Sequence, residues 1–247
     1  MKEAWKFAAI GGCAGAALTL LLGLGAGALG VSPFAAANGN AMHAWLVAHP
    51  GVLVEMTNKL QTQQDTDEDT ARQAAVNKLG MKAFFDPRVA FVTGPANART
   101  TVVEFFDYNC PYCRASLPAM KKFYLTHKDA RFAFIEFPIK GPLSTVAARA
   151  AMAARNQPDK YVAFHFALMG QENAVDENTV YAVARNTGLD VTRLKADMTS
   201  PKIDLALAAA HTLADAAGID GTPAFIVDGK IREGAITDEI FARMAKT

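Results

Sequence analysis

The chain has 247 residues, of which 51% are apolar and 20% charged, a composition typical of folded rather than disordered proteins. The formal net charge is only +1, and without a basic excess nucleic acid is not expected as a partner. Three cysteines are too few for a disulfide scaffold, and at least one of them has no intramolecular partner.

Residues 7–31 form an apolar segment without a single charged residue. About 20 such residues cross a bilayer as a helix, so the segment predicts a transmembrane anchor in the inner membrane. Because Lys2 and Lys6 precede it, we expect the N-terminal tip in the cytoplasm and the rest of the chain in the periplasm. The alternative is a signal peptide cleaved near residues 35–37. Cys13 is interpreted as a small residue of this apolar helix.

Residues 38–97 predict a helical N-terminal segment. The first helix is expected over 41–64, interrupted at Pro50 and Gly51, and a second over 71–79. The acidic run at 65–69 predicts a new helix start between them. An apolar stripe at helical spacing indicates packing either on the protein body or on another copy, in the second case as a homo-oligomer: Val52, Leu53, Met56 and Leu60.

The remaining chain predicts an α/β unit with a helical insertion. Strands are expected over 89–92, 100–106 and 131–137, with a helix over 114–127. Residues 142–217 are rich in alanine and contain no convincing strand. A hairpin over 223–227 and 231–235 turns at Asp228 and Gly229, and a helix over 237–246 follows. Without the helical block, the order is βαβ and then ββα, a unit of four strands.

Cys110 and Cys113 stand where the strand 100–106 gives way to a helix. Two intervening residues bring the sulfurs within disulfide reach and place the first over the helix N-terminus, where free N–H groups stabilise a thiolate. Pro111 suits the first helical position. We predict that Cys110 is the nucleophile and Cys113 the buried resolving thiol. The histidines are scattered, so no zinc site is predicted, whereas Cu(I) on the two thiolates is an alternative.

Glu104 is the only charged residue of its strand, and it alternates with Val102 and Phe106, which are expected to face inward. A buried carboxyl at this position is predicted to carry the proton of Cys113 during exchange. Asp107 is expected nearer the surface, as an acid at the helix start.

Thr222 and Pro223 precede the hairpin and complete the predicted site. Proline is tolerated at the first position of a strand. A cis peptide bond at Pro223 exposes the preceding backbone beside the sulfurs, where it holds an extended substrate by strand-type hydrogen bonds.

Two elements, VVEFFDYNCPYC and GTPAFIVDG, resemble those of the DsbA-like thiol–disulfide oxidoreductases of the thioredoxin superfamily. The segments AHPGVLVEM, FFDYNCPYC and FPIKGPLS are similar to the ScsC-like and Com1-like branch. The resemblance implies a thioredoxin fold over 98–247, with a helical insertion at about 142–217 between the CxxC half and the cis-Pro half. The helical segment 38–97 and the anchor or signal sequence in 1–37 precede it.

The resemblance also implies an enzyme that exchanges disulfides with protein substrates as an oxidase or isomerase, without a cofactor. Cys110 and Cys113 are then catalytic, and the substrate-binding residues are Pro111, Tyr112, Thr222 and Pro223. The resemblance also implies a membrane redox partner and, in some members of the family, oligomerisation. Because tyrosine replaces the histidine of the strongest oxidases, we expect a reduction potential between about −270 and about −120 mV. The alternatives are a reductase, a copper-handling protein and a tethered chaperone.

Overall fold

A computed structural model describes the backbone of residues 33–245 and the side chains of residues 39–245. The chain divides after Asp65 into two compact units. The predicted anchor at 7–31 and Cys13 lie outside the described residues. Among the helices of residues 33–245, none is long and apolar enough to cross a membrane.

The first unit contains helix α1 (Pro33–Ala48) and the beginning of α2 (Gly51–Leu79), separated by the predicted break. The predicted new helix start at 65–69 is wrong, because α2 continues through the acidic run. No glycine or proline interrupts residues 52–79. Pairs at helical spacing accommodate the acids: Gln61 donates to Asp65 over 2.7 Å, and Arg72 pairs with Asp69 at 2.9 Å.

The second unit contains the sheet, preceded by the short helix α3 (Met81–Phe84). Its strands are β1 (Ala90–Thr93), β2 (Thr101–Phe106), β3 (Arg131–Glu136), β4 (Ala224–Val227) and β5 (Lys230–Glu233), in the order β1-β3-β2-β4-β5. β2 and β3 are parallel and joined by α4 (Pro111–Thr126), whereas every other pairing is antiparallel. The sequence predicts a four-stranded unit; β1 pairs along the outer side of β3 and makes the fifth strand.

The region 142–217 is entirely helical apart from its connections, as predicted. It contains α5 (Pro142–Ala154), α6 (Pro158–Met169), α7 (Glu177–Asn186), α8 (Val191–Met198) and α9 (Pro201–Ala217), and α10 (Asp238–Met244) follows the sheet. Proline occupies the first position of α5, α6 and α9, where its missing N–H is not needed. The side chains of Asp176 and Asp190 cap α7 and α8.

Both faces of the sheet are covered, and alternate residues of each strand enter different layers of the core. One face packs against α4 and α6 through Val102, Phe106, Phe134, Phe123 and Phe164. The other packs against the end of α2 and against α9 through Val103, Phe105, Ile135, Val76 and Ala214. The carboxyl ends of the parallel strands β2 and β3 therefore meet at one edge, beside the start of α4.

The β4–β5 hairpin turns at Asp228 and Gly229, whose φ angles are 49° and 81°. Two consecutive positive φ angles match the tight two-residue turn that the sequence predicts. Asp228 also accepts a hydrogen bond from the Thr101 N–H over 2.7 Å and so ties the turn to the start of β2. The Gln73 side chain bonds to Gly229 and Ile231, which holds α2 against the β5 edge.

Candidate active site

Cys110 is the N-cap residue of α4, with extended backbone angles, and Pro111 is the first helical residue. The Cys110 N–H donates to the carbonyl of Asp107 over 3.1 Å, which closes the turn between β2 and α4. Both Cys110 and Cys113 are free thiols and fully buried. By contrast Tyr112, between them, is 64% exposed and forms the surface next to the pair.

The two thiols have pKa values shifted in opposite directions. A hydrogen bond from the Cys113 thiol, assisted by the N–H groups of Cys113 and Tyr112, lowers the pKa of Cys110 to about 5 against the effect of burial. Burial raises the pKa of Cys113 well above its usual range, and the neighbouring charge on Cys110 raises it further. At neutral pH, Cys110 is therefore a thiolate and Cys113 a thiol.

Thr222 lies against the sulfur of Cys110, and the peptide bond between Thr222 and Pro223 is cis. The sulfur of Cys110 lies 3.1 Å from the Thr222 carbonyl oxygen, although 112 residues separate the two in the chain. The Thr222 side chain is buried beside Cys110. The structure thus brings both sequence-predicted halves of the site together.

Glu104 faces the core layer that contains Cys113, as its alternation with Val102 and Phe106 predicts. It is 2% exposed, and its Oε2 has no hydrogen-bond partner in the described part of the chain. Burial raises the pKa of Glu104 to about 8. This carboxyl therefore exchanges its proton near neutral pH, and its charge contributes to the raised pKa of Cys113.

The predicted position of Asp107 near the surface is wrong, because this acid is 2% exposed. Its Oδ1 accepts from the Asn109 N–H over 2.7 Å, and its Oδ2 accepts from the N–H groups of Ile139 and Lys140, each over 2.8 Å. Three N–H donors make burial of a carboxylate tolerable. Asp107 thereby ties the loop before Cys110 to the loop after β3.

Two further polar pairs near the site are not predicted from the sequence. Tyr161 donates its hydroxyl to Oε1 of Glu136 over 3.1 Å, and burial raises the pKa of Glu136 to about 8. The Tyr108 hydroxyl lies 3.0 Å from Nδ1 of His165, and burial lowers the pKa of His165 to about 3. Like Glu104, Glu136 is the one acid of a strand whose neighbouring residues are apolar.

The family model described as thioredoxin matches residues 88–246, which is more than half of the chain. The chain belongs to the thioredoxin family. The match includes the CxxC segment, the helical insertion and the cis-Pro loop.

Solved structures of the thioredoxin family are similar over most of their own length. A thioredoxin-like oxidoreductase from Silicibacter pomeroyi is 39% identical, with a TM-score of 0.62, covering 67% of this chain and 95% of that one. BcfH from Salmonella enterica Typhimurium is 27% identical, with a TM-score of 0.71, covering 86% and 95%. ScsC from Proteus mirabilis is 25% identical with a TM-score of 0.62, which confirms the resemblance to ScsC-like proteins.

Curated relatives of this thioredoxin-family chain carry two kinds of name. Na(+)/H(+) antiporter NhaA 1 from Salinispora arenicola is 29% identical over 156 residues, and the chain spans about a quarter of that protein's length (24%). Disulfide bond formation protein D from Bacillus subtilis is 27% identical over 161 residues, which is 60% of this chain and 72% of that protein.

Proposed function

We propose that the protein is an exported thiol–disulfide oxidoreductase that exchanges disulfides with protein substrates through Cys110 and Cys113. The observation that carries this proposal is the pair of buried thiols at the start of a helix, whose pKa values are shifted in opposite directions. One thiol is therefore ionised and the other protonated at neutral pH. An ionised thiol is both a good nucleophile and a good leaving group. The names of the oxidoreductase from Silicibacter and of disulfide bond formation protein D support the same chemistry.

The exchange proceeds in two steps. In the reduced enzyme, the Cys110 thiolate attacks a substrate disulfide, forms a mixed disulfide and releases one substrate thiolate. Cys113 then passes its proton to the ionised Glu104 and attacks the Cys110 sulfur. The Cys110–Cys113 disulfide forms, the second substrate thiolate leaves, and the substrate has gained two electrons. The reverse sequence oxidises a substrate dithiol.

We assign substrate binding to the surface around the pair. Thr222 and Pro223 place a backbone edge next to Cys110, which suits an extended peptide held by main-chain hydrogen bonds. Pro111 and Tyr112 are exposed at the start of α4, on the approach to the sulfurs. Because Cys110 itself is fully buried, a protein disulfide reaches it only when these surrounding groups move.

The proposed location is the periplasm, with the apolar residues 7–31 as an inner-membrane anchor or a cleaved signal peptide. In this organisation, residues 1–37 direct export and the helices before β1 form the N-terminal segment. The catalytic domain includes β1, so it begins before the predicted boundary at residue 98. A membrane redox partner would restore the Cys110–Cys113 pair after each turnover, so no bound cofactor is required.

The reduction potential of the Cys110–Cys113 pair in graded glutathione buffers tests this proposal. We expect a value between about −270 and about −120 mV, because Tyr112 adds no positive charge beside the thiolate. Tyr112→His should raise the potential by about 20–30 mV at pH 6, where an imidazolium stabilises the reduced form. Tyr112→Phe is the matched control and should leave it unchanged.

Three outcomes of that titration contradict parts of the proposal. A potential at or below that of thioredoxin would favour a reductase. Failure to form the Cys110–Cys113 disulfide, together with stoichiometric Cu(I) binding, would favour the copper-handling alternative. In residues 39–245, no group of three or more His, Cys, Asp or Glu side chains is arranged to hold a metal, so such a protein would use the two thiolates. If Tyr112→His has the same reduction potential as the wild type, a positive charge at position 112 does not control the potential of the pair.

We also propose that the first unit mediates self-association. Eight of its large apolar side chains are 40–70% exposed: Met42, Trp45, Leu46, Val47, Leu53, Val54, Met56 and Leu60. So many exposed apolar side chains within 19 residues indicate an interaction surface.

Light scattering should show an oligomer for the full chain, and Leu53→Glu with Leu60→Glu should reduce its mass to that of a monomer. The exposed polar pair Asn58→Glu and Gln63→Glu is the matched control. A monomeric wild-type chain would contradict this proposal.

A further inference from the structure

A second buried acid, Glu136, lies beside Glu104 on the same face of the sheet. β2 and β3 are parallel neighbours, with Glu104 opposite Phe134 and Phe106 opposite Glu136. Because alternate residues of a strand share a face, Glu104 and Glu136 project from the same side, two positions apart along adjacent strands. The strand spacing and rise place their Cα atoms about 8 Å apart. The exposed fractions of the two acids are 2% and 1%.

The two acids differ in their partners. Burial raises the pKa of Glu136 to about 8, and the negative charges of Asp107 and Glu104 add to that rise. The positive charge of Arg155 and the hydrogen bond from the Tyr161 hydroxyl oppose it. The pKa of Glu104 is also raised to about 8 by burial, but within residues 39–245 Glu104 has no counterpart to the Tyr161 hydroxyl or the Arg155 charge. The Oε2 atoms of both acids are without a hydrogen-bond partner among the described residues. When the pair loses its first proton, the negative charge is therefore better stabilised on Glu136.

Several other titratable groups surround Glu136. Those that face it or its hydrogen-bond partner are Asp107 from the loop after β2, Glu104 from β2, Arg155 after α5, Tyr161 and His165 from α6, and Tyr108 before α4. Burial raises the pKa of both tyrosines above 10 and lowers the pKa of His165 to about 3. Those three side chains therefore stay neutral while Glu104 and Glu136 titrate.

We propose that Glu136 is a positioning residue for the proton of Glu104: the charge state of Glu136 sets the pH at which Glu104 exchanges a proton with Cys113. The catalytic part of this inference rests on the proposed function. An ionised Glu136 opposes the ionisation of Glu104, so Glu104 stays protonated to higher pH. In that form, Glu104 donates its proton to the Cys113 thiolate that leaves when a substrate thiolate attacks the oxidised pair, which is the direction of substrate oxidation.

A ¹³C NMR pH titration of the full chain, labelled at the glutamate carboxyl carbon, tests the inference. Glu104→Gln and Glu136→Gln identify the two buried signals. In Glu136→Gln, we expect the titration midpoint of Glu104 to fall by about one pH unit, because the negative charge of a neighbouring buried carboxylate is removed. In Glu136→Asp, which retains the carboxylate, the midpoint of Glu104 should return part of the way to its wild-type value.

Tyr161→Phe provides a second variant that leaves the number of charges unchanged. Loss of the hydroxyl should move the midpoint of Glu136 up and the midpoint of Glu104 down, since Glu136 then ionises later. A Glu104 midpoint that is the same in wild type, Glu136→Gln and Tyr161→Phe would overturn the inference.

The pH dependence of the exchange rate separates this inference from the proposed function. One step of the rate–pH profile should be absent in Glu104→Gln. In Glu136→Gln that step should shift to lower pH by the same amount as the NMR midpoint of Glu104. A shifted NMR midpoint without any disulfide exchange would leave the coupling intact and refute the proposed function. Exchange with an unmoved midpoint would refute the coupling alone. A shifted midpoint with an unmoved rate profile would refute its catalytic role.

Discussion

Replacement of Cys110 by serine is expected to lower the rate of exchange with a disulfide peptide by more than about 10³-fold. With a pKa of about 5, the wild-type sulfur is ionised roughly 100:1 at pH 7, whereas a serine hydroxyl stays protonated and is a poor nucleophile toward sulfur. The measurement is the release of a fluorescent thiol from the peptide at pH 7. Retention of more than a tenth of the wild-type rate would show that Cys110 is not the nucleophile.

Cys113→Ser is the matched control for this experiment. Its Cys110 thiol can still attack the peptide, but no second thiol resolves the mixed disulfide. We therefore expect a single release of thiol and a stable adduct of protein and peptide, visible by mass spectrometry. The hydrogen bond from Cys113 is the largest contribution that lowers the pKa of Cys110. Because a serine hydroxyl donates at least as well as a thiol, the first attack should keep nearly the wild-type rate. An adduct on Cys113 in the Cys110→Ser variant would reverse the two roles.

Most of the fold can be predicted from the sequence because its signals are local. The β-branched run of β2, the Asp228-Gly229 turn and the prolines that begin several of the helices each act within a few residues. The continuity of α2 through the acidic run is not predictable by the same means. Acids favour a helix start, yet pairs such as Gln61 with Asp65 also stabilise a helix interior. The strand β1 itself is predicted at 89–92, but its place as the fifth strand of the sheet depends on its pairing with β3, a partner about 40 residues away in the chain.

For the site, the sequence predicts the residues that stand in motifs and misses those defined by long-range contacts. Cys110, Cys113 and Pro223 belong to short patterns that predict their placement. Asp107 has the same local appearance as a surface acid, and only its bonds to Ile139 and Lys140, about 30 residues on, explain its burial. The partner of Glu136 is Tyr161, which lies 25 residues later in the chain, on α6. No local pattern encodes such a contact.

Glu104→Gln is expected to stabilise the protein in a pH-dependent way. Glu104 has a pKa of about 8 in the folded protein, against 4.5 as its ordinary value. Between these pH values the folded state holds a proton that the unfolded state has lost, so the free energy of unfolding falls as pH rises from 4.5 to 8. The full effect is roughly 3–5 kcal/mol above pH 8 and absent below pH 4.5. Glutamine is neutral throughout and avoids this loss.

Thermal unfolding at pH 4.5 and pH 8.5 measures the effect. We expect Glu104→Gln to have nearly the wild-type Tm at pH 4.5 and a Tm higher by about 10 °C at pH 8.5. Glu172→Gln, at an exposed position, is the control and should change neither value. A gain in Tm that is equal at both pH values would assign the effect to packing rather than to the buried charge.

The same variant should resolve mixed disulfides about 10²-fold more slowly, because glutamine cannot accept the proton of Cys113. Quenching the reaction with acid and counting the adduct by mass spectrometry measures this step separately from the first attack. A variant that is more stable at alkaline pH and slower in resolution would show why an unpartnered acid is retained in the core. Its burial costs stability, and that same burial brings its pKa near the pH at which Cys113 must lose a proton. A stabilised variant that resolves at the wild-type rate would leave Glu104 with no part in the proton transfer.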